Sequence, residues 1–329
     1  MMRFAFTIFI ALLSFSACEV IDDPIPANAE DNLQIGAIGA DSARLFDSLG
    51  IFADTDYKID QALNLDDTDS LISFILNNTW AISTAPDNSN RRFITLEEFT
   101  GHECIFCPLG TKEIIRLDTI FKEQLVPIAI HAGGFARPRQ SGDKFTTDFR
   151  VEGGHGELYQ QEFNPGNAYP RGMVSRLRST GNAGWEADIN SIAADSPIAE
   201  LKLTSYYSNN ANVVRAQIQV IPLVPSSESF SLQVFLKEDN IVDWQKDAFS
   251  NPVDIEFYNH RHTLRKVVNG TWGLNLPNWQ VGDTLSYQYV TTVDPNWKPQ
   301  DLEVVCFIFD NDQSSYEVMQ ANAAYFTPR

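Results

Sequence analysis

Cys104-Ile105-Phe106-Cys107 sets two thiols three residues apart, directly after the strand-like run Phe93–Phe99 and directly before a helix-like run. Thiols so placed can close a disulfide, and the positive end of a helix favours a thiolate on the outer one. The chemistry this allows is thiol–disulfide exchange: Cys104 attacks, a mixed disulfide forms, and Cys107 resolves it. A purely structural staple is the competing reading. Loop closure makes so small a ring worth only roughly 2 kcal/mol, against about 3 for a fifteen-residue loop, so stability alone is a weak reason for the pair. A third reading gathers His102, Cys104, Cys107 and His131 around zinc or copper. No second cysteine pair completes a tetrahedral site, and no metal or cofactor is expected.

The elements that must hold these thiols follow from periodicity. A helix is expected from about Pro108 to Glu123 with Ile114, Leu117 and Phe121 on one face. Pro108 lacks an N–H, which leaves the Cys104 carbonyl without a helical partner, and proline is tolerated only in the first turn, so it marks the helix start. Leu125–His131 reads as a buried, parallel strand, and strand, helix and strand at this spacing make a right-handed crossover. An insert rich in Gly and charge follows at about 132–163, with a helix near 147–163 broken by Gly153-Gly154. Asn167–Arg176 carries a proline into a strand, and Trp185–Ala194 is an amphipathic helix ended by Pro197.

Beyond Ile198 the pattern turns to short strands of period two, at 214–220, 230–236, 255–258, 284–293 and 302–309, which suggests an antiparallel sandwich beginning near Ser196. Cys306 lies within the last of these and reads as an inert buried thiol. His260 and His262, two apart, would share one face of a strand and are expected at a surface or an interface. His131-Ala132-Gly133-Gly134 slightly resembles a hydrolase oxyanion loop, but no Gly-x-Ser-x-Gly follows.

The 329 residues carry 43 acidic against 24 basic side chains, a formal charge of −19, which argues against nucleic acid as a partner. Met1-Met2-Arg3, the apolar run Phe4–Phe15 and Ser16-Ala17 form a secretory signal over residues 1–17, too short to span a bilayer. Phe15-Ser16-Ala17-Cys18 resembles a bacterial lipobox, with Phe15 in place of the usual Leu. Cys18 would then be the lipidated N-terminus and the membrane partner would be reached through lipid alone. From Glu19 to Ser70 thirteen Asp or Glu face only Arg44 and Lys58, which reads as an acidic, solvated tether and a poorly defined lead-in over residues 18–90. Short helices are expected there at Asp41–Leu49 and Ser70–Leu76. Asp41-Ser42-Ala43 and Asp47-Ser48-Leu49 resemble the O-glycosylation triplet of Bacteroidota, and Glu19-Val20-Ile21-Asp22-Asp23 resembles their surface-export signal.

Leu96–Pro108, Ile130–Gly133, Tyr169–Gly172, Tyr258–Arg265 and the stretch Val304–Ala321 together resemble the Omp28-related outer membrane protein family, over about Arg92–Phe326. The resemblance implies a lipid-anchored α/β thioredoxin-like domain over residues 91–196, followed by an all-β antiparallel sandwich domain over residues 197–329. It also implies a place in the outer membrane, surface-exposed if the acidic signal acts. Within the thioredoxin-like pattern, Glu98 matches the buried acid that assists proton transfer. Pro170 matches the cis-proline that faces the disulfide, and Tyr169 before it offers backbone to an extended substrate. Glu97 and Glu98 alternate in a strand, so one of them is expected to point inward. The function expected is thiol–disulfide exchange or redox sensing with a protein thiol or disulfide partner. The alternative is a non-enzymatic surface binding or adhesion lipoprotein with a structural disulfide.

Overall fold

The computed structural model describes residues 33–37, 55–65, 68–311 and 315–326. The signal segment, Cys18 and the expected helix at Asp41–Leu49 lie outside the described residues. The chain is β-rich, with two mixed sheets, one separate two-stranded ribbon and few helices.

The Cys104–Cys107 pair is positioned by a compact run of elements. Strand β4 (Ile94–Thr100) leads into helix α2 (Cys107–Phe121), which returns to strand β5 (Leu125–His131) in parallel with β4. Pro108 falls in the first turn of α2, the place its missing N–H allows. Ile114 and Leu117 of α2 pack with Ile94, Leu96 and Leu125 and with Trp185, Ile189 and Ile192 of α4 (Trp185–Ile192). Antiparallel to β4 runs β6 (Arg171–Val174), extended by β7 (Ser179–Thr180). In the insert only α3 (His155–Phe163) is a regular helix, shorter than the expected 147–163, because Gly153 and Gly154 both take φ of +73° and interrupt it. Despite its Gly and charge, the insert buries Phe145, Phe149 and Val151.

The remaining strands are β8 (Ala199–Ser208), β9 (Val213–Pro222), β10 (Phe230–Glu238), β11 (Ile241–Lys246), β12 (Asp254–His260) and β13 (Thr263–Val267). They are completed by β14 (Leu274–Asn275), β15 (Leu285–Thr292), β16 (Leu302–Asp310) and β17 (Val318–Tyr325). The larger sheet runs β17-β16-β10-β13-β5-β4-β6-β7, with β14 beside β10. Strands from both sides of Ser196 therefore share one sheet, joined where Thr263 of β13 pairs in parallel with Ala129 of β5. The change of strand texture at Ser196 is a change of pattern without a break in hydrogen bonding. A six-stranded sheet forms the second layer, and the largest apolar core lies between the two. Leu201, Leu203, Ile218 and Val220 meet Leu232, Val234, Val304, Cys306 and Ile308 there.

The lead-in is partly built into this second layer. β1 (Leu33–Ala37) pairs with β2 (Thr55–Asp60), β2 pairs in parallel with β15, and β3 (Ala81–Thr84) pairs with β8. Helix α1 (Thr68–Leu76) covers the expected Ser70–Leu76 segment and buries Leu71 and Ile75 against Val213 and Val290. Leu71→Ala is therefore expected to cost about 3 kcal/mol, seen as a lower urea midpoint. An unchanged midpoint would mean that α1 contributes nothing to the folded core.

Candidate functional site

Cys104 and Cys107 are joined as a disulfide with Cα atoms 5.4 Å apart, at the mouth of the β4–α2 loop. The loop is tight: the Cys104 N–H donates to the Gly101 carbonyl at 3.0 Å, and the Cys107 N–H to the Cys104 carbonyl at 3.3 Å. Gly101 is required because a Cβ there would lie 2.5 Å from the Phe135 carbonyl carbon. The pair thus sits where the helix dipole is positive, the setting that lowers a thiol pKa.

Glu98 lies beneath α2. A Cβ on Gly110 would fall 2.0 Å from Glu98 Oε1 and 3.0 Å from the Pro170 Cβ, so the carboxyl, the helix backbone one turn beyond Cys107, and Pro170 converge. Glu98 is 1 % exposed and its Oε1 has no hydrogen-bond partner. Burial pushes its pKa up to about 8, which keeps a proton on the carboxyl at neutral pH. A buried acid poised near the working pH can hold and pass a proton. The Tyr169–Pro170 bond is cis, and Pro170 leads into β6 beside the C-terminal end of β4. The Tyr169 hydroxyl donates to the Ala132 carbonyl at 2.9 Å and lies 2.8 Å from Gln160 Oε1, which ties this turn to the insert.

The expectation that only one of Glu97 and Glu98 points inward is corrected: both are buried, because β4 lies in the middle of a sheet covered on both faces. Glu97, on the face away from the disulfide, forms a two-pronged ion pair with Arg176, Nε–Oε1 2.8 Å and Nη2–Oε2 2.9 Å, with both side chains 0 % exposed. The Arg176 guanidinium is ringed by Phe163, Phe307 and Phe309 at 4.9 to 5.0 Å.

The histidines also depart from expectation. His260 and His262 are both buried rather than at a surface, and they do not share a strand face, since His260 ends β12 while His262 turns the chain with φ of +55°. His260 packs with Phe149 at 4.6 Å and with His131 at 5.8 Å between ring centres, and His102 meets Phe149 at 5.7 Å. Burial pushes His260 down to about 4 and drives His102 and His131 below the ordinary range as well, so the cluster is neutral. Of the candidate zinc or copper set, His102 and His131 belong to this aromatic cluster and the two cysteines bond each other. Among the described residues, Asp239, His262 and Glu303 come within metal-ligand reach, but Lys237 Nζ already lies 2.9 Å from Glu303 Oε2 and supplies the cation. Cys306 is fully buried and its thiol is pushed up by desolvation, as an inert core residue requires.

Sequence reasoning placed a strand at 255–258, inside β12, but missed β11 and the ribbon the two form across the loop that carries Cys104. Gln245 Nε2 donates to the Cys104 carbonyl at 3.0 Å, the Lys246 N–H to the His102 carbonyl at 2.9 Å, and the Ala248 N–H to the Ile105 carbonyl at 2.8 Å. Tyr258 of β12 shares a hydrogen bond with Thr111 on α2, and burial pushes its phenol up to about 12, with the nearby Glu98 adding to the shift once it is ionised. The one sequence signal for this contact was Pro108, which has no N–H to add to the Cys104 carbonyl beside that of Cys107.

Among solved structures the chain is similar to HBP35 of Porphyromonas gingivalis, at 17% identity and a TM-score of 0.53, over 71% of this chain and 75% of that one. A protein from Agrobacterium tumefaciens is similar at 10% identity and a TM-score of 0.45, over 72% of this chain and 95% of that one. No curated protein matches. The family described as outer membrane protein Omp28 matches residues 158–325, from α3 to the end of β17, and so starts beyond the cysteine pair. By that match the chain belongs to the Omp28 outer membrane protein family.

Proposed function

We propose that this protein is an outer-membrane lipoprotein, anchored through Cys18 and carried to the cell surface, that performs thiol–disulfide exchange at Cys104 and Cys107. Residues 91–196 form its thioredoxin-like unit and residues 197–329 a β-sandwich, the two sharing a sheet. The observation that carries the reading is the convergence of a helix-terminal disulfide, the buried Glu98 carboxyl and Pro170.

In the reduced protein the Cys104 thiolate attacks one sulfur of a client disulfide. A Cys104–client bond forms, the client S–S bond breaks, and one client thiolate leaves. Glu98 gives its proton to that departing thiolate, the carboxylate so formed takes the proton of Cys107, and the Cys107 thiolate attacks the Cys104 sulfur, expelling the second client thiolate, which takes a proton from water, and re-forming the Cys104–Cys107 bond. The client gains two electrons and two protons, and an external dithiol must reduce the pair again.

Burial of both cysteines, 3 % and 1 % exposed, favours a second reading, a surface binding protein whose disulfide stays closed. Alkylation and trapping on the purified protein separate the two. After reduction, Cys104 is expected to alkylate first, with a pKa below the free-thiol value of about 8.5. Cys107→Ala is expected to trap client proteins as mixed disulfides, and Cys104→Ala to trap none. A pair that stays oxidised down to about −300 mV would establish the binding-protein reading instead.

A further inference from the structure

We infer that the β11–β12 ribbon is a displaceable cover seated on the surface where an extended polypeptide client docks against the Cys104–Cys107 disulfide. This rests on the exchange reading above. The ribbon imitates a client in three respects.

It caps the carbonyls of the cysteine loop. The Cys104 carbonyl already accepts the Cys107 N–H at 3.3 Å, Pro108 has no N–H to add, and the amide of Gln245 becomes its second donor at 3.0 Å while also reaching the Gly101 carbonyl at 3.4 Å. It also binds through main chain, since Lys246 and Ala248, two residues apart, donate their N–H groups to the His102 and Ile105 carbonyls on either side of Cys104. Lys246 closes β11 and Ala248 lies in the turn after it, and main-chain donors of this kind are how a docked peptide binds exposed backbone carbonyls. Finally it brings an aromatic anchor: Phe249 packs on Phe106, ring centres 6.3 Å apart, although the two side chains remain 66 % and 47 % exposed. Ion pairs of Lys246 with Glu103 at 2.7 Å and Asp247 with Lys112 at 3.5 Å flank these contacts.

The ribbon pairs with neither large sheet, and a two-stranded hairpin is marginal in water by itself. Its outer side carries Val253 and Phe257, 44 % and 78 % exposed, so the segment 245–253 can lift without opening a core. His260, buried against Phe149, holds the base of the ribbon while the tip moves. The client class that fits the uncovered surface is an aromatic-bearing polypeptide segment whose extended run ends at the disulfide and leaves two N–H groups two residues apart free to bind the loop carbonyls.

The test uses the purified full chain. In Gln245→Ala and Phe249→Ala, the disulfide is expected to be reduced by dithiothreitol at least tenfold faster than in the parent, followed by maleimide tagging. A synthetic peptide of residues 243–250 is expected to bind these variants at least tenfold more tightly than the parent. In the parent itself, the amides of Lys246 and Ala248 should exchange with deuterium well before those of β10, a measurement that stands even if a variant does not fold. Parent-like reduction rates in both variants, or ribbon amides that exchange only together with β10, would overturn the cover. A pair that stays oxidised at equilibrium with reduced glutathione in every variant would overturn the exchange reading instead, whatever the rates.

Discussion

Glu98→Gln is expected to make the protein more stable at pH 8 by roughly 3–5 kcal/mol and, at the same time, slower in disulfide exchange. The sign follows from the proton. The folded carboxyl holds its proton to about pH 8, whereas the unfolded one releases it near the ordinary value of 4.5. Between those two values the folded state binds a proton that the unfolded state lacks, so stability falls as pH rises and this contribution is gone above about pH 8. Glutamine keeps the shape and cannot ionise, so its unfolding free energy should lose that slope. Urea melts of parent and variant from pH 4 to pH 9 measure the difference. Parallel curves would show that Glu98 does not stay protonated in the fold. A carboxyl that weakens the protein yet persists under the disulfide suits a role in proton transfer, where function and stability pull in opposite directions.

The second large effect lies on the opposite face of β4. Arg176→Met is expected to destabilise the protein by about 3–5 kcal/mol, because it leaves the Glu97 carboxylate buried without its cation. Glu97→Leu combined with Arg176→Met should recover most of that loss, since two apolar groups need no desolvation. The Phe163, Phe307 and Phe309 rings around the guanidinium already provide an apolar lining for methionine. A double-mutant cycle on urea midpoints isolates the coupling, and additive single effects would show that the pair does not act as one unit.

Local signals in the sequence reached the core of the site. Pro108 located the start of α2, Leu125–His131 matched β5 residue for residue, and the alternation at 302–309 matched β16. What local pattern could not supply was how many layers cover each strand. Glu97 and Glu98 alternate as in any half-exposed strand, yet helices on one side and the aromatic cluster on the other bury both. The same limit explains β2, whose Lys58 pairs in register with Tyr289 far along the chain, and the ribbon, whose donors meet the redox loop from more than a hundred residues away. Chemistry written in adjacent residues was legible; pairings set by distant strands were not.

The order in which this chain can finish folding is fixed by its last strand. Arg92, just before β4, is 3 % exposed and, besides Asp195 at 3.3 Å, finds its partners in Glu317 and the Val318 carbonyl. Gln320 of β17 then satisfies the carbonyls of Asn88, Arg91 and Ala199 and accepts the Phe93 N–H. An N-terminal fragment holding the cysteine pair would leave these polar groups unpaired, so the redox half should complete its fold only once residues near 320 have arrived. Until β17 is in place Cys104 and Cys107 therefore sit in an unfinished chain, where they can be oxidised or mispaired with Cys306 before that thiol is sealed inside the two-sheet core.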